Sequence, residues 1–91
     1  MTFKIKDKDI ELTYTIRAMI MYENMTDKSF APHNLTDIVT FMYCIVISSA
    51  KDYSITFDEF IDFLDKNPNA VNEFGEWLQS LTNNNNNFSK N

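Results

Sequence analysis

The chain has 91 residues, of which 44% are hydrophobic, and a net charge of -5; this is the size of one domain, with enough apolar mass to build a core without disulfides. The acidic balance opposes a phosphate backbone, so nucleic acid is not an expected partner. A single Gly leaves no glycine-rich phosphate loop, a single Cys no internal bridge, and one His with one Cys no zinc site.

The first segment, "TFKIKDKDIELTYT", alternates apolar and polar residues on both sides of Asp7-Lys8, the pattern of a half-buried β-hairpin. A turn there pairs Ile5 with Ile10 and Phe3 with Leu12 on one face, and Lys4 with Glu11 and Lys6 with Asp9 on the other. The start "MTFKIKDKD" lacks the apolar core of a secretory signal, which gives a cytoplasmic expectation.

Residues 16–25, "IRAMIMYENM", predict a first helix with Ile16, Met19 and Ile20 as the inward stripe. The loop "TDKSFAPHN" follows, with His33 as a solvated side chain and Phe30 either plugging the core edge or waiting for a partner. Asn34 or Thr36 caps a second helix, "LTDIVTFMYCIVISSA", apolar on nearly every face from Ile38 to Ile47. That stretch is about half the length needed to cross a bilayer. It is the central post of the fold, or one of its sides faces another chain; Cys44 inside it reads as a buried thiol.

"SITFDEFIDFL" resembles the second half of an EF-hand, but with Ile55 and Glu59 in register the loop starts at Ser48, Ala50 falls on a ligand position and Tyr53 replaces the turn Gly. A capping box formed by Thr56 and Glu59 accounts for the same residues. It opens a third helix with Phe57, Phe60, Ile61 and Leu64 on one face, Phe63 beside it, and Asp58, Asp62 and Asp65 as a solvated stripe. Asn67-Pro68 ends that helix and starts a fourth, in which Val71, Phe74, Leu78 and Leu81 mark one face and Trp77 adjoins it. Gly75 interrupts the pattern, at a cost of about 1 kcal/mol relative to Ala. The Asn-rich end reads as a flexible tail.

The predicted architecture is α+β and mainly helical: an N-terminal β-hairpin packed on about four α-helices, with residues 1–82 as the domain and 83–91 as the tail. Adjacent carboxylates such as Asp58 and Glu59 leave a helix in different directions, and no nucleophile pair or metal cluster stands out. The expectation is a binding protein without enzymatic activity, cofactor or metal. Its candidate partner-binding residues are Met21, Tyr22, Met25, Phe30, Phe63 and Trp77; the methionines are flexible and polarizable, suited to irregular apolar partners.

The segments "KIKDKDIELTYTIRAMIMYENMTDKSF" and "LTDIVTFMYCIVISSAKDYSITFDEFIDFLDKNPNAVNEFGEWL" together resemble the small tail assembly chaperones of long-tailed bacteriophages and prophages. There a hairpin leads into a helix ending near a "TGKS"-like turn, here Thr26-Asp27-Lys28-Ser29 with Asp27 in place of the usual Gly. A "LTDIV" helix, an acidic "T-x-D-E" helix and a last short helix follow, and the likeness spans residues 3–81. The resemblance implies a chaperone that binds the tape measure protein and brings tail tube subunits to it. It also implies action in the cytoplasm of the bacterial host, absence from the finished virion and, for many such genes, a longer frameshifted product. Self-association is a further expectation. The alternatives are a degenerate EF-hand-like calcium module, or a small acidic adaptor or anti-repressor using Asp58, Asp62 and Asp65.

Overall fold

A computed structural model describes residues 1–29, 34–50 and 54–90, with side chains as far as residue 81. Phe30 and His33, and the EF-hand loop positions Asp52 and Tyr53, lie outside the described residues.

Strands β1 (Thr2–Ile5) and β2 (Lys8–Glu11) are joined by Lys6 and Asp7, whose φ angles of 54° and 64° are both left-handed. A two-residue turn of this hand matches the twist of the strands it joins. The register therefore differs from the expected one: Phe3 faces Ile10, Lys4 faces Asp9 and Ile5 faces Lys8. Leu12, expected opposite Phe3, instead donates its N–H to the Met1 carbonyl at 2.8 Å. The displacement is two residues, and an even displacement keeps every side chain on its face. Phe3, Ile5, Ile10 and Leu12 are all buried, as the alternation predicts.

Helix α1 (Ile16–Thr26) starts at Thr15, whose hydroxyl accepts the Ala18 N–H at 3.1 Å. It ends at Asp27, left-handed at φ 55° and ψ 35°, with its N–H on the Glu23 carbonyl. Asp is one of the few side chains that tolerate this conformation, so it serves where Gly is usual. The inward face is not the expected one. Ala18 and Tyr22 are fully buried, whereas Ile16 and Ile20 are 71% and 53% exposed and Met19 is half-buried. Arg17, Glu23 and Asn24 share the Ile16–Ile20 side of the helix and are exposed with it. Burying Ile16 and Ile20 would have desolvated two charges, while the Ala18–Tyr22 side carries none.

Helix α2 (Leu35–Ser49) begins on the Asn34 side chain, which accepts the Asp37 N–H at 2.9 Å. It is the central post: α1, β2 and α4 all pack on it, and Val39, Phe41, Met42, Cys44, Ile45 and Val46 are buried. Each such side chain contributes roughly 1.5–3 kcal/mol on burial. Phe41 receives Tyr14, Tyr22 and Phe74 edge-on, with centroids 6.0, 6.0 and 6.1 Å away.

Helix α3 (Phe57–Lys66) opens with the expected capping box: Glu59 N–H on Thr56 Oγ1 at 3.1 Å and Thr56 N–H on Glu59 Oε1 at 2.9 Å. Phe60 and Leu64 are buried, Ile61 is partly buried, and Phe57 stays 38% exposed with its ring edge-on to Tyr43. Asn67 closes α3 by donating its N–H to the Leu64 carbonyl and its side-chain amide to the Phe63 carbonyl, while its own carbonyl accepts the Ala70 N–H at 2.9 Å. Pro68 and Asn69 form a turn and α4 (Ala70–Lys90) follows. Ala70 and Phe74 are its buried anchors, with Val71, Trp77 and Leu78 partly buried beside them. Its helical backbone continues across 83–90, the segment that composition marks as a tail; no Pro or Gly lies beyond Gly75 to interrupt it. The whole is α+β and mainly helical, a two-stranded hairpin on four helices.

Candidate interaction surface

Among the described residues, the outward side of α1 leaves large aliphatic side chains in water. Thr15 fixes the start of the helix, and Ala18 and Tyr22, one turn apart, fix which way it faces. Ile16 and Ile20 are then forced outward, one above the other, as an apolar ridge. Tyr14, 39% exposed, precedes the ridge and rests its ring edge on Phe41. Around the helix from the ridge, Met21 lines an open groove of about 500 Å³ together with Arg17, Ile47 and Ser48. Met25, 50% exposed, lies nearer the end of α1, and Leu35, 64% exposed, opens α2. Lys28 joins these two helices through an ion pair of 3.2 Å with the buried carboxylate of Asp37.

Of the six residues singled out from the sequence, the five among the described residues do not form one surface. Met21 is half-buried in the α1–α2 groove and Met25 half-exposed. Tyr22 is not a surface residue: it is fully buried against Phe41, and burial followed by the negative charge of Asp37 raises its phenol pKa. Phe63 sits between Phe3 at 5.2 Å and Phe60 at 6.1 Å, so its ring seals the hairpin onto α3. Trp77 is half-buried, with its ring 5.7 Å from Phe74 on α4. Phe30 lies outside the described residues. The exposed aliphatic residues that the sequence places inward are Ile16 and Ile20, and the signal that reveals their exposure is Arg17, Glu23 and Asn24 on their own side of the helix.

A second, polar groove of about 400 Å³ runs between the hairpin tip and α3, lined among others by Lys4, Lys6, Glu59, Asp62 and Lys66. Lys6 Nζ donates to Glu59 Oε2 at 2.8 Å. That contact, then the Thr56 N–H, holds the Glu59 carboxyl below the usual glutamate range. Both oxygens of Glu59 are thus engaged inside the chain, and Ser48, the first position of the EF-hand register, is helical with its hydroxyl on the Ile45 carbonyl. Among the described residues no group of three or more His, Cys, Asp and Glu is placed to hold a metal ion. Nor is any helix of those residues long and apolar enough to cross a membrane. Asp58, Asp62 and Asp65 are exposed along α3.

No family model matches the chain, and no curated protein or solved structure is similar to it at a significant level.

Proposed function

We propose that the chain is a non-enzymatic tail assembly chaperone of a phage or prophage, which binds the tape measure protein and keeps its apolar helical segments soluble while tail tube subunits assemble. The observation that carries this reading is the Ile16–Ile20 ridge, two aliphatic side chains left in water by a domain whose core is complete without them. An amphipathic client helix lays its apolar face along the ridge in the helix-against-helix manner. Arg17 and Glu23 stand on either side as a polar rim that keeps the free chaperone soluble. Tyr14, partly exposed just before the helix, offers a further ring edge to a client. Of the six residues expected to meet the partner, Met21 and Met25 remain available on α1, and Tyr22 does not.

Co-expression with a phage tape measure protein tests the proposal. The soluble fraction of the client rises when the chain is present; an unchanged fraction rejects the reading.

The exposed carboxylates of Asp58, Asp62 and Asp65 favour a second reading, an acidic adaptor or anti-repressor. Changing all three to Asn separates the two: client solubilisation survives under the first reading, and partner binding is lost under the second.

A further inference from the structure

Met25 differs from the other described methionines. It is 50% exposed, whereas Met42 is fully buried and Met1, Met19 and Met21 are partly buried against the core. Its sulfur nevertheless reaches the seam between α1 and α2, where it accepts a hydrogen bond from the buried Cys44 thiol at 3.5 Å. A methionine half open to solvent is the one that an oxidant reaches ahead of its buried neighbours. The thiol beside it is a poor competitor: burial pushes Cys44 up to about 11, so at neutral pH it stays an S–H donor and not a reactive thiolate.

We propose that Met25 is an oxidation site for hydroperoxides, and that its conversion to the sulfoxide loosens the α1–α2 seam and opens Cys44 to solvent. The sulfur lone pair attacks one peroxide oxygen, the S–O bond forms as the O–O bond breaks, and with hydrogen peroxide water leaves. Sulfur is oxidised by two electrons and the peroxide reduced by two. The flexible apolar thioether becomes a polar sulfoxide. Its oxygen must stay hydrated or find a donor. The lone pair that becomes the S–O bond no longer accepts, and the electron-poor sulfur that remains is a weaker partner for the Cys44 thiol. Hydration of the new oxygen and the loss of an apolar thioether both weaken the hold of Met25 on the seam. The inference is independent of the chaperone reading, because it concerns only how α1 is held on α2.

The test treats the full chain with limiting hydrogen peroxide, maps the added oxygen by peptide mass spectrometry, and follows the rate at which an uncharged thiol reagent labels Cys44. Met25 takes up oxygen ahead of Met19, Met21 and Met42, and labelling of Cys44 accelerates about tenfold, equivalent to about 1.4 kcal/mol in the local opening equilibrium. In Met25→Leu, which keeps an apolar side chain of similar volume, peroxide no longer accelerates labelling. Oxygen uptake spread evenly over the methionines overturns the proposal. So does a labelling rate that peroxide leaves unchanged, or raises equally in Met25→Leu.

Discussion

Ala18 and Ile20 stand two residues apart on α1 and at opposite extremes of burial, the alanine fully enclosed and the isoleucine 53% exposed. Substitutions on the two sides of this helix therefore have opposite consequences. Ala18→Leu adds volume where the helix meets the core and costs about 1–3 kcal/mol in denaturant unfolding. The double change Ile16→Ser and Ile20→Ser stays within about 0.5 kcal/mol of the parent, since Ser and Ile have similar helix propensity and neither position contributes to the core. A large destabilisation by the double change would mean that the helix faces the other way.

Lys6 and Glu59 join the hairpin tip to the first turn of α3, and their contact sets an acid-side dependence. The Glu59 pKa is lowered in the fold, first by Lys6 and then by the Thr56 N–H. Stability from a lowered carboxyl is complete above the unfolded value, about 4.3, and is lost as pH falls through the folded value. Glu11 acts in the same direction, through Thr2 and then the N-terminal ammonium. Lys6→Met narrows the difference in unfolding free energy between neutral pH and about pH 3. An equal difference in both proteins would show that the contact has no energetic role.

On the alkaline side the sign reverses. Burial raises the Cys44 thiol from its ordinary 9.0 to about 11, so the unfolded chain releases this proton first. Stability is complete below pH 9.0 and declines as pH rises toward 11. Tyr22 and Tyr43, both raised chiefly by burial, continue the decline at higher pH. Cys44→Ala lowers stability at neutral pH through the lost side chain, and gives a shallower decline between these two pH values. A slope unchanged by the substitution would place the titration elsewhere.

Gly75 lies inside α4, and apart from its chain neighbours and the backbone of its own helix no atom comes within 4 Å of where a Cβ would sit. No close approach of another backbone requires the glycine, so Gly75→Ala stabilises the domain by about 0.5–1 kcal/mol, read as a shift in the denaturant midpoint. A loss of stability would reveal a steric demand at this position.

Much of the framework is legible in the sequence because it depends on local chemistry. Thr56 with Glu59, and Asn34 before α2, announce helix starts through side chains that can reach the first free N–H groups. The hairpin faces follow from alternation, but the register does not. Lys6-Asp7 and Asp7-Lys8 are equally poor turn sequences, and only the left-handed backbone at Lys6 and Asp7 decides between them. The face of α1 is ambiguous to a count of apolar residues, since Ile16, Met19 and Ile20 compete with Ala18, Met21, Tyr22 and Met25. Charge placement breaks the tie, because Arg17 and Glu23 are cheaper to leave in water. The exposed aliphatic pair of α1 therefore lies on the side that a count of apolar residues assigns to the core. Phe63 shows the same limit: off the main stripe of α3, it reads as a free ring until the hairpin is laid over it.

Titration of the isotope-labelled full chain with an apolar helical segment of the tape measure protein, followed by NMR chemical-shift mapping, tests the central claim most directly. A client seated on the ridge gives the largest shifts at Ile16 and Ile20, with Tyr14 and Arg17 next, and these disappear in the Ile16→Ser, Ile20→Ser protein. Shifts centred on Asp58, Asp62 and Asp65, or none at saturating peptide, would contradict it.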